Sequence, residues 1–71
     1  MESKVLLDLS IKYGLNEEQI SKLASVLYQL GYTSLDDAEC ERAAGYACAM
    51  KLVDLPGEEI VEEMRRKGFG V

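Results

Sequence analysis

The sequence predicts an all-α fold: one compact domain of four short helices over residues 1–71, with the third helix central. Three observations carry that expectation. First, a helix-like stretch runs into glycine and then a large apolar residue at Tyr13-Gly14-Leu15, Leu30-Gly31-Tyr32 and Lys67-Gly68-Phe69. Glycine after a last helical turn takes the left-handed conformation that satisfies orphan carbonyls, and the apolar residue behind it packs back on the helix. Second, apolar residues between the triplets recur at helical spacing. Third, Asn16 and Pro56 stand where helices start.

Helix one is expected over about Ser3 to Tyr13, with Ser3 as N-cap. At about 100° per residue, Val5, Leu6, Leu9 and Tyr13 share one face, while Leu7 and Ile11 form an i,i+4 pair on the other side. The helix thus has two apolar faces. Helix two opens at Asn16, where Gln19 completes a capping box and Leu15 and Ile20 have the spacing of a hydrophobic staple. Glu17 and Glu18 favour the positive end of the helix dipole. Ile20, Leu23, Ala24, Leu27 and Leu30 trace the core stripe, and Gly31 ends it. The short link at Gly14 makes helices one and two an antiparallel hairpin.

Helix three is expected to start at Thr33 or Ser34, with Asp36 or Asp37 at its third position. Its opening half is acidic (Asp36, Asp37, Glu39, Glu41), and its second half is the uncharged run Ala43 to Met50. A helix apolar all round is a buried one, so this segment is expected to form the central post. Mid-helix glycine is unfavourable by up to about 1 kcal/mol relative to alanine, so Gly45 is expected to sit at a close packing contact. Helix four runs from Pro56 to about Lys67, with Ile60, Val61 and Met64 as its stripe and Glu62–Arg66 and Glu63–Lys67 pairs at i,i+4.

A chain of 71 residues buries only about 60% of its unfolded surface, so its core is thin. The net charge of −5 argues against unspecific affinity for nucleic acid or anionic lipid. Val5-Leu6-Leu7 is too short for a signal-peptide core, and no stretch approaches the roughly 20 apolar residues of a membrane span. The expected location is cytoplasmic. Cys40 and Cys48 lie on one helix with Cα atoms roughly 12 Å apart, beyond disulfide reach. Without histidine or a third cysteine, a zinc site is not expected, and both thiols read as buried and inert.

No catalytic constellation is present in the sequence. Cys40 has acidic neighbours and no base partner, and the helix-three carboxylates sit where capping alone explains them. No glycine-rich phosphate loop precedes a helix, and no cofactor or small-molecule substrate is inferred. The Gly31-Tyr32 and Gly68-Phe69 turns share two or three residues with the Met-Gly-Phe/Tyr loop that ubiquitin-associated domains carry. The methionine is missing and the next helix is too long, so helix-ending glycines account for these turns and no family is assigned.

What remains is surplus apolar surface: Leu7 and Ile11 on helix one, Val26 and Tyr28 flanking the stripe of helix two, and the second half of helix three. It serves either to fill the core or to meet a second chain. The expected function is a small acidic protein-interaction or regulatory module, non-catalytic and able to form a homodimer, with Leu7, Ile11, Tyr28, Tyr46 and Phe69 as partner-binding residues. One concrete form is an acidic factor engaging a basic partner. The alternative is a dimeric helix-turn-helix regulator, against which stand Asp36, Asp37, Glu39 and Glu41 at the start of the reading helix.

Overall fold

Side-chain caps mark where the first two helices begin, and glycine turns mark where three of the four stop. The computed structural model describes residues 3–71. In chain order these form α1 (Lys4–Tyr13), α2 (Glu17–Gln29), α3 (Ala38–Ala49), a single 3₁₀ turn at Leu52–Asp54, and α4 (Gly57–Arg66). The fold is an all-α bundle of four helices.

All three glycine triplets close their helices the same way. The Leu15 amide donates to the Ser10 carbonyl at 2.9 Å, Tyr32 to Leu27 at 3.1 Å, and Phe69 to Met64 at 2.9 Å. Gly14, Gly31 and Gly68 lie at φ 65°, 97° and 94°, which admits the six-to-one bond of the Schellman motif. At the start of α2 both bonds of the capping box form: Gln19 N–H donates to Asn16 Oδ1 at 2.8 Å, and Asn16 N–H to Gln19 Oε1 at 3.0 Å.

The first and third helices depart from expectation. Ser3 caps α1 by accepting the Leu6 amide at 3.2 Å, but Asp36 joins the same cap. Its Oδ1 accepts the Ser3 hydroxyl at 3.0 Å and the Val5 amide at 3.1 Å. Spent on α1, Asp36 does not open α3. That helix begins at Ala38 rather than near Thr33 or Ser34, with Asp37 at the N-cap position and no side-chain cap bond. Tyr13, expected in the core stripe of α1, is exposed at the helix end, and Leu9 is half-buried.

The second half of α3 is buried on one side only. Ala43, Ala44, Ala47 and Cys48 are in the core, whereas Ala49 and Met50 are exposed. Gly45 has nothing within 4 Å of where a Cβ would stand, so the expected close contact is not there. The helix ends without glycine, with Lys51 itself in the left-handed region at φ 59°. In α4, Arg66 pairs with Glu62 at 3.4 Å and also with Glu63, so the expected Glu63–Lys67 pair is replaced by an i,i+3 partner.

The helices α2 and α3 each touch every other element, and they share the central role expected of α3 alone. α1 lies mainly on α3 and less on α2, α4 lies mainly on α2, and α1 and α4 do not pack on each other. Between them Leu6, Leu23, Val26, Leu27, Ile60 and Met64 are completely buried. Each such side chain contributes about 1.5–3 kcal/mol of burial. The Cα radius of gyration, 10.5 Å, is close to the roughly 11 Å of a folded chain of this length.

The last residues complete the end of α2. Val71 N–H donates to the Leu30 carbonyl at 2.8 Å, Arg65 Nη2 to the Gln29 carbonyl at 3.0 Å, and Gly70 N–H to the Tyr32 hydroxyl at 2.9 Å. Carbonyls that the helix leaves without partners are satisfied by the far end of the described chain. Among the described residues, no helix is long and apolar enough to cross a membrane.

Candidate functional site

The core closes without part of α1. Val5 and Leu6 face α2 and α3, while Leu7 is 49% and Ile11 75% exposed. One turn apart, they stand roughly opposite the buried stripe, as 100° per residue dictates. From beside them toward the buried stripe, Lys4, Asp8 and Lys12 run down one flank, each exposed and four residues from the next. Among the described residues none of the three enters an ion pair, and Lys12 Nζ lies 5.5 Å from the Tyr13 ring centre.

The other residues expected to bind a partner fall into two groups. Tyr28 is 58% exposed on α2 and borders a small groove with Ser3, Leu35 and Asp36, at the N-terminal end of α1. Tyr46 and Phe69 are half-buried and pack against each other, with ring centres 5.1 Å apart and planes tilted by 40°. That contact joins α3 to the segment after α4, and both rings also pack against the core. Val26 is completely buried, so this part of the apolar surplus belongs to the core. Met50 is 58% exposed beyond the end of α3. An uncharged run gave no sign that its last residues would leave the core.

Chemistry at the thiols is suppressed by burial. Cys40 is pushed up to about 11, first by desolvation and then by Asp37 and Asp36. Cys48 is raised by desolvation alone. Both are buried and unpaired, so neither presents a thiolate near neutrality. Asp36 is held below the usual carboxylate range, chiefly by the Val5 amide and then by the Ser3 hydroxyl. Among the described residues no three cysteine or carboxylate side chains converge as a metal ion requires.

A shallow groove of about 310 Å³ lies between the α1–α2 turn and the end of α3. Tyr13, Leu15, Cys48, Lys51 and Val53 line it, and Gln19 Nε2 donates to Asp54 Oδ1 at 3.2 Å along its edge. Its one thiol, Cys48, is the buried group whose ionisation desolvation disfavours.

The segment between α2 and α3 runs from Leu30 to Asp37, much longer than the three- to four-residue turn of a DNA-reading helix pair. The first turn of α3 carries Glu39 and Glu41. Compared with protein-family models, characterised proteins and solved structures, the chain finds no significant match.

Proposed function

We propose that this domain is a non-catalytic protein-interaction module and that the outer face of α1 is its docking surface. The observation that carries the reading is the exposure of Leu7 and Ile11 on a helix whose opposite face is already buried. Scattered exposed apolar residues need no explanation, but two large aliphatic side chains on consecutive turns of one helix form a stripe of the kind that lies in a partner's groove. Tyr28, exposed near the start of the same helix, adds an aromatic of the type enriched at interfaces.

Acidic residues gather in the first turns of α2, α3 and α4, where the helix dipole accounts for them. The α1 face has two lysines and one aspartate. A partner meeting it therefore gains apolar burial without crossing the chain's overall negative charge.

The test is retention of proteins from a cell lysate on immobilised wild-type domain and on the Leu7→Ser plus Ile11→Ser variant, with circular dichroism confirming that both are folded. The reading expects at least one protein, or the domain itself, to be held by the wild type and lost by the variant. Identical retention on two folded proteins contradicts it.

A further inference from the structure

Resting on the reading of α1 as a docking surface, we infer that the partner it fits is a second copy of this chain, packed antiparallel through α1 about a two-fold axis. The charge order along the outer face supports this choice. A two-fold axis perpendicular to the helix, passing near the level of Leu9 and Ser10, brings each flank of α1 against the same flank of its copy. On one flank stand Lys4, Asp8 and Lys12, all exposed. At that level Asp8 of each copy meets Lys12 of the other, so two reciprocal opposite-charge pairs form from side chains without an ionic partner among the described residues. The same axis sets Leu7 of each copy near Ile11 of the other, the reciprocal pairing an isologous interface requires.

Placement of charge also explains why α1, rather than another face, brings two acidic chains together. The chain carries −5, and copies approaching through the acidic starts of α2, α3 or α4 repel. The outer flank of α1 is locally net positive and self-complementary. The contact is small, because α1 has only 10 residues, so the dimer belongs to the weak, exchanging class.

A charge-swap series read by sedimentation equilibrium, up to about 1 mM where weak dissociation constants still register, tests the arrangement. All substitutions are on exposed positions, and circular dichroism establishes that each variant is folded. Asp8→Lys alone and Lys12→Asp alone should each weaken the homodimer by about tenfold or more, since both reciprocal attractions become repulsions. Mixing these two single variants should restore dimers, as should combining both substitutions in one chain. Loss of association in Leu7→Ser plus Ile11→Ser, with the fold intact, is expected alongside.

A wild type that stays monomeric throughout overturns the second copy as partner, while the docking reading then stands or falls on its own lysate comparison. Dimers indifferent to both single charge changes, or not restored by the double swap, overturn the antiparallel arrangement. Monomer that instead binds vesicles of anionic lipid through Leu7 and Ile11 overturns the inference in favour of a lipid surface.

Discussion

The carboxylate of Asp36 accepts the hydroxyl of Ser3 at 3.0 Å, across 33 residues of sequence. Ser3 in turn accepts the Leu6 amide, and Asp36 also accepts the Val5 amide. One end of α1 is therefore closed by a residue from the segment before α3. This couples the placement of α1, and so of its outer face, to the loop that precedes α3.

Removing either member should loosen α1. Ser3→Ala is expected to destabilise the domain by about 1 kcal/mol, the usual loss of an N-cap. Asp36→Ala should also lower the melting temperature, and its effect should depend on pH. The folded protein holds Asp36 below the ordinary aspartate value of 3.8, so its contribution is fully present above that value and fades as pH falls through the lower folded one. Melting curves of wild type and Asp36→Ala should differ at pH 7 and converge in strong acid. A constant difference down to acid would show that the carboxylate charge is not what closes the cap.

The two glycines at the ends of α1 and α2 should tolerate alanine differently. Gly14 has open space around a Cβ, so Gly14→Ala carries only the left-handed strain, about 1–2 kcal/mol. At Gly31 a Cβ would also stand 3.0 Å from the Val71 Cβ, so Gly31→Ala should be worse and should displace the Val71–Leu30 hydrogen bond. Equal losses of stability in denaturant titrations would mean that the chain end is not seated there.

Gly45 should behave in the opposite sense. With helical backbone and nothing within 4 Å, Gly45→Ala should stabilise the domain by about 0.5–1 kcal/mol. Destabilisation would restore the tight helix contact that sequence reasoning expects at this position.

Both thiols should resist alkylation in the native protein and react once it is denatured. Burial pushes Cys40 up to about 11 and raises Cys48, so little thiolate exists near neutral pH. Rapid native labelling of Cys40 would show that the α3 segment around it opens readily.

What could be read in the sequence was local. The three glycine triplets, the Asn16–Gln19 box and the stripe through Leu23, Leu27 and Leu30 depend on residues within a turn or two of each other, and all are present. The misplaced start of α3 has a distant cause: Asp36 looks like a first-turn residue of its own helix until Ser3 and Val5 arrive from another one. Lys51 ends α3 in a conformation that glycine usually signals, and the turn at Leu52–Asp54 follows from it without a sequence marker. The docking of Val71 on Leu30 and the packing of Phe69 against Tyr46 join distant segments, which periodicity does not report. For the site, spacing separated Leu7 and Ile11 from the buried stripe of α1 but did not say whether another helix covered them. The packing of α1 on α3 and α2 leaves them exposed.

That exposure is the central claim, and the stability of Leu7→Ser plus Ile11→Ser tests it most directly. Measured by chemical denaturation at a concentration where the protein is monomeric, the variant should keep its helical circular dichroism and lie within about 0.5 kcal/mol of wild type for each substitution, as surface changes do. A loss of roughly 2–4 kcal/mol for each deleted side chain, or outright unfolding, would place this face of α1 inside the core and contradict the account.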